Sequence, residues 1–390
     1  MRRFYPGITL FKLAGATLVL VAHALLIPSM VAMDLPPLAS FLMLEGRVVV
    51  PCFYVVSGFL LYKGWSHASK PGAYVRKYWL RIAAVYAVFC LLFAAEFNVP
   101  ALLQGGLGLS NLILQTKILV MAVFVNGPLL QLWFIPPLLF GSVAAYWLLN
   151  RLSLKMILIM LAVLYGVVQL ASGSLLSFTG MGQVDIASLP GILWTGATRY
   201  LGFGLTFVVM GALMAKYEEQ FLRMNVRLVA VLAIGVTAAE TVLLTALAPW
   251  SEAYKLTFAM LPNTALLFYG VLRIRNATIT AHHRLLNLFS IVTFVGHIPL
   301  MRLNKILFGW GGSLDLVLWQ QMLQSLLTFA ECAALTLLLY RRSRKSGLAG
   351  ERAASPGEVE AAAGMSSDPM IGSKRQTRTS AGMTAHKFEG

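Results

Sequence analysis

The sequence predicts an all-α fold, a polytopic membrane helix bundle of about ten transmembrane helices. Three observations predict it. The chain of 390 residues is 58% hydrophobic and only 12% charged, with a mean hydropathy of +0.75, whereas soluble globular chains are about a quarter charged. Apolar runs of about 20 residues, long enough to cross a bilayer, recur from residue 8 to residue 340. Lys and Arg gather in alternate short loops between those runs, where the positive-inside rule wants them. The net charge of +16 therefore belongs to membrane topology, and no nucleic-acid partner is expected.

The expected spans are 8–30, 44–64, 78–97, 129–149, 154–172, 197–216, 226–248, 254–273, 285–304 and 318–340. The first follows Arg2 and Arg3 and reads as a retained helix, being longer than the apolar core of a signal peptide. One set of loops carries Lys63, Lys70, Arg76, Lys77 and Arg81, then Arg151 and Lys155, Lys216, Arg223 and Arg227, Arg273, Arg275 and Arg284, and last Arg341, Arg342, Arg344 and Lys345. The opposite loops hold few basic residues, and 31–44 holds none. The alternation predicts a multi-pass protein of the cell inner membrane with both termini cytoplasmic. The stretch 100–128 is apolar but broken by Gly and polar residues, and it reads as a re-entrant or interfacial segment. Residues 1–342 form the expected integral-membrane domain. Residues 343–390 lose periodicity and become rich in Ser, Gly, Ala and charge, the composition of a disordered cytoplasmic tail.

Polar groups inside a span cost several kcal/mol and face a cavity or a partner. Lys12 and His23 stand eleven residues apart in the first span, about three helical turns, so both point the same way. Gly15, Ala16, Val19 and Ala22 share that face and keep it small. His23 suits either an interhelical hydrogen bond or a general base, and Lys12 either snorkels or binds an anion. Glu45 and Arg47 stand close enough to pair at the start of the second span. Arg81 lies one turn inside the third span. Glu240 and Glu331 are deep carboxylates with several open roles: cation partner, protonated acid or proton relay. QLWFIPPLL puts Gln131 and Trp133 before a double proline, as an interfacial anchor does. Cys52, Cys90 and Cys332 lie in apolar segments without the spacing of a disulfide framework or a metal site, so no metal is expected.

Taken in order, these segments resemble the acyltransferase type 3 family of integral-membrane O-acyltransferases. That family has a basic residue, ten arbitrary residues and a histidine in its first span, matched here by Lys12, where arginine is usual, and His23. RVVVPCFYVVSGF is similar to its second-span motif, with Arg47, Pro51, Phe53, Ser57 and Gly58 in place. RKYWLRIAAVY resembles its basic Arg-x-x-Arg-Ile motif through Arg81 and Ile82, with Tyr78 at the first arginine and Arg76 or Lys77 as substitute charges. QLWFIPPLL is similar to "HLWFL", with Gln131 for His. TRYLGFGLTFVVMG, which holds Arg199, is similar to a Thr-Arg-Asn motif with Tyr200 for Asn, and FSIVTFVGHIPL to a late span that supplies His297.

The resemblance implies transfer of an acyl group, usually acetyl, from cytoplasmic acetyl-CoA or another acyl-CoA to a sugar hydroxyl of an exopolysaccharide or other envelope glycan. No cofactor is implied as permanently bound. It assigns His23 to catalysis and Lys12, Arg76, Lys77 and Arg81 to the donor phosphates. Arg47, Ser57, Gln131, Trp133, Arg199 and His297 become substrate or structural support. The expected partners are the lipid bilayer, the acyl-CoA and the glycan acceptor. Lys12 and His23 would mark the two ends of one tunnel along the small face of the first span. The competing class, a transporter or flippase of a polysaccharide or lipid precursor, also explains many spans and buried charges, but the sequence shows no repeat symmetry.

Overall fold

The computed structural model describes residues 4–26, 38, 45–179, 189–247, 256–310 and 316–353. Among the described residues there are helices and no strand. We label the helices α1 Pro6–Val21, α2 Val49–Trp65, α3 Pro71–Gly105, α4 Leu109–Met121, α5 Ile135–Arg151, α6 Leu154–Ser172, α7 Leu189–Ala197, α8 Thr206–Lys216, α9 Val226–Leu247, α10 Met260–Arg273, α11 Ala277–Leu307 and α12 Leu318–Ala353. Three stretches wind as π-helix: Ala22–Leu26 after α1, Ala122–Asn126 after α4, and Thr198–Leu205 between α7 and α8. Local chemistry sets the starts. Proline opens α1, α3 and α5, where its missing N–H removes no helical bond. Ser153 and Asn276 cap α6 and α11 by accepting from Met156 N (3.4 Å) and Ile279 N (3.0 Å).

Each of the ten expected segments contains a helix. Eight helices among the described residues are long and apolar enough to cross a membrane. Seven of them lie in expected spans; Val49–Trp65 and Leu154–Leu170 are shorter apolar helices, and α10 is shorter still. The remaining long helix, Leu109–Asn126, lies where a re-entrant segment was expected. It folds back on α3: Asn98 Nδ2 donates to Gln115 O at 3.2 Å, and Tyr86 Oη donates to Val123 O at 2.6 Å. At 18 residues, about 27 Å at 1.5 Å per residue, this helix is long and apolar enough to cross a membrane, where the sequence led to a re-entrant or interfacial segment. Outward faces expose Leu91, Val231, Ile234 and Leu326, as lipid contact requires.

The centre is held by close backbone contact. A Cβ at Gly58 would overlap the Val208 carbonyl, and one at Gly211 the Val55 carbonyl, so α2 and α8 cross where only glycine fits. At one end Glu218 accepts from Tyr5 Oη at 2.9 Å and pairs with Lys63 Nζ at 2.7 Å, which gathers the start of α1 and the end of α2 beside α8. Phe4 lies against His283 there, with ring centroids 5.0 Å apart, so α1 and α11 start together and run parallel.

The opposite end holds the deep carboxylates. Glu240 accepts from Phe258 N and Ala259 N, both at 2.7 Å, and from Ser174 Oγ. It thereby caps the turn that opens α10 from another helix. Glu45 accepts from Thr257 Oγ1 at 2.5 Å and Asn263 Nδ2 at 3.0 Å. Glu240 thus anchors a helix start. Glu331 accepts from Asn304 Nδ2 at 3.0 Å.

The chain divides into two units, Met1–Leu337 and Leu338–Gly390. The second unit is helical from Leu338 to Ala353. The stretch expected to be a disordered tail therefore begins as helix, and its remainder, 354–390, lies outside the described residues.

Candidate functional site

His23 sits in the π-turn Ala22–Leu26 at the end of α1. Such turns change the register of a helix and recur at functional sites. Its ring stacks on that of His297 from α11, with centroids 5.5 Å apart and planes at 27°. The two histidines, 274 positions apart in the sequence, meet because α1 and α11 run side by side. His297 is fully buried, and its Nδ1 lies 2.7 Å from Thr293 O. A carbonyl only accepts, so Nδ1 carries the hydrogen and Nε2 keeps a lone pair. That Nε2 has no hydrogen-bond partner among the described residues. Two residues on, Pro299 lacks the N–H that would satisfy Val295 O. Gln131 Nε2 fills the gap at 3.3 Å, which leaves Gln131 Oε1 buried and unpaired.

An aromatic cluster lies below the pair, from Phe294 about one turn before His297 to Phe11 about three turns before His23. The Phe53 ring stands 4.9 Å from Phe11, 6.5 Å from Phe134 and 6.2 Å from Phe294, and Phe134 stands 5.7 Å from Phe294. Phe53 rests on the small face of α1: a Cβ at Gly15 would come within 2.7 Å of its Cζ. Helix packing fills that face, so the open tunnel expected along it is interrupted by Phe53. Lys12, one turn before Gly15, is half-buried and has no ion-pair partner among the described residues.

A clamp holds the stretch of chain that carries Gln131 and Trp133. The π-turn Ala122–Asn126 leaves carbonyls without their usual helical donors. Tyr86 takes Val123 O, Tyr200 Oη takes Phe124 O at 2.5 Å, and Arg199 Nη1 takes Val125 O together with Asn126 Oδ1 at 3.0 Å. The Arg199 guanidinium also lies 5.2 Å from the Trp133 ring centre, a cation–π contact. Tyr54 Oη donates to Phe134 O at 3.0 Å.

The sequence-derived residues thus separate into groups. His23, His297 and Gln131 come together, with Lys12 on the same helix as His23. Arg199 and Trp133 form the adjoining clamp. Ser57 bonds within its own helix, to Phe53 O at 2.8 Å. Arg47 is exposed at the turn before α2. Arg76, Lys77 and Arg81 are exposed on α3. Tyr78 and Ile82 of that motif pack against the core, as Trp79, Ala83 and Tyr86 do against a second cluster. Phe53, Phe294 and the tyrosines 54 and 86 were not singled out as site residues, since aromatic residues in apolar spans look alike until their neighbours are known.

The sequence matches the acyltransferase-domain family, acyltransferase type 3, over residues 5–341. The chain belongs to this family. The matched range contains every residue of the histidine pair, the aromatic cluster and the clamp. An amino-acid racemase from Enterococcus faecalis is 26% identical over 170 residues. The aligned part is 41% of this chain but only 21% of that protein, so the chain spans about a fifth of the relative's length. No solved structure matches.

Proposed function

We propose that this membrane acyltransferase moves an acyl group, in our reading acetyl, from cytoplasmic acyl-CoA to a sugar hydroxyl of an exopolysaccharide or other envelope glycan. The observation that carries the reading is the His23–His297 pair, a half-buried histidine stacked on a buried one, within a chain of this family. A thioester is already activated, so the protein must remove the hydroxyl proton and hold the reactants together. His23 takes that proton, the oxygen attacks the thioester carbon, the C–S bond breaks, and the departing thiolate recovers the proton. His297 supports the His23 ring from the side.

Lys12, without an ion-pair partner among the described residues, supplies a positive charge on the donor side, suited to a phosphate or to the polar arm of the donor. The exposed Arg76, Lys77 and Arg81 add a diffuse basic surface where CoA arrives. This requires both termini in the cytoplasm and the inner membrane as the location, as the Lys/Arg alternation supports. Purified protein in lipid nanodiscs, given labelled acetyl-CoA and envelope glycan, transfers label to the glycan, and His23→Gln does not. Mass spectrometry of envelope glycans with and without the gene identifies the acceptor. A reporter at residue 390 found outside the cytoplasm would overturn the orientation and the donor side with it.

A further inference from the structure

We infer that Phe53 is the gate of the donor path and selects for a thin, linear donor arm. The inference rests on the acyl-CoA reading above. Along α1, Lys12 stands about one turn on one side of Gly15 and His23 about two turns on the other. Phe53 lies against Gly15 between them, close enough that any side chain at Gly15 would strike its ring. The surrounding groups, Phe11, Phe134 and Phe294, are aromatic, so the barrier between the lysine and the histidine pair is apolar. Yet Phe53, Phe134 and Phe294 are only half-buried, unlike Tyr54 and Phe59 on the same helix α2, which are fully buried. The ring is therefore packed on one side and accessible on the other, and in this proposal it turns toward the accessible side. With the ring at rest, water and ions from the Lys12 side do not reach the histidines; when it swings aside, a narrow chain passes. Gly15 is small because the closed ring must rest on it.

Access is measured directly with His23→Cys, labelled by a small membrane-impermeant thiol reagent presented from the Lys12 side. The native Cys52, Cys90 and Cys332 are buried and set the background. Adding Phe53→Ala raises the labelling rate at least tenfold, Phe53→Leu raises it less, and Phe53→Trp lowers it. Equal rates in all four backgrounds overturn the gate, whether or not acyl-CoA is the donor. In the His23-containing protein, Phe53→Ala increases acceptor-independent acyl-CoA hydrolysis relative to transfer, and Phe53→Trp lowers kcat/KM for the donor. Gly15→Ala displaces the ring and raises the labelling rate of the His23→Cys protein, and a change in thermal midpoint with an unchanged labelling rate marks a merely structural phenylalanine and overturns the gate. Wild-type protein that turns over no acyl-CoA overturns the proposed function, whereas an active wild type with unchanged Phe53 variants overturns the gate alone.

Discussion

Two buried polar clusters in this bundle are built to opposite rules. Around Glu240 and Glu45 each carboxylate oxygen accepts at least one hydrogen bond, from Phe258 N, Ala259 N, Ser174, Thr257 or Asn263. Nearby, Gln169 Nε2 stays unpaired, but the acids themselves are satisfied. Around His23 and His297 the reverse holds. Among the described residues His297 Nε2 and Gln131 Oε1 are buried acceptors without a partner, and Lys12, about three helical turns before His23, lacks a counter-ion. Buried polar atoms are nearly always paired, and each exception calls for an explanation. A saturated network holds helices in place. An unsaturated one keeps bonding capacity free for something that arrives later.

The contrast is broken most severely at His23. His23→Gln removes the general base and lowers acyl transfer by about 10²–10⁴-fold, the range for a positioned base, while the protein inserts and folds as before. Activity in the His23→Gln protein, expressed at the wild-type level, removes His23 from the mechanism. Glu240→Ala tests the other cluster. It strips the acceptor from two backbone N–H groups and destabilises the fold by about 2–4 kcal/mol, read as a lower thermal midpoint in detergent. Activity per folded molecule is unchanged, because the role is anchoring; a stable but inactive Glu240→Ala protein would move the acid into the chemistry.

Gln131 lies between the two rules, with one group used and one free. Gln131→Ala leaves Val295 O unpaired and costs about 1–3 kcal/mol. Gln131→His, the residue usual in the motif it resembles, restores a donor and recovers most of that stability. Smaller effects follow at the exposed basic run. Single exposed charges contribute about 0.2–1 kcal/mol, so Arg76→Ala, Lys77→Ala and Arg81→Ala each raise the donor KM less than about fivefold, with Arg81→Ala the largest. A loss of kcat in any of them would mean that α3 turns its basic face inward during turnover. Truncation after Ala353 has the smallest effect: transfer is retained, since residues 354–390 have the composition of a segment without a core.

The amino-acid sequence by itself determined the class of fold and the family. Length and hydropathy make membrane helices unavoidable, and the order of Lys12, His23, Arg47, Ser57, Arg81, Arg199 and His297 carries the resemblance. Helical spacing also put Lys12 and His23 on one face, because a periodicity of 3.6 is a local property of the chain. What required the tertiary structure is everything that depends on a neighbour. Only packing brings His23 onto His297, 274 residues away, and seats Phe53 on Gly15 across the expected tunnel. Only packing shows that Gln131 answers the carbonyl freed by Pro299, and that Glu240 caps α10. The basic residues of α3 show the same limit from the other side. Their charge is legible in the sequence, but whether a helix turns a given side chain toward a site or toward its surroundings is set by which neighbours compete for its apolar face. On α3 that competition brings Tyr78 against the core and leaves Arg76, Lys77 and Arg81 exposed.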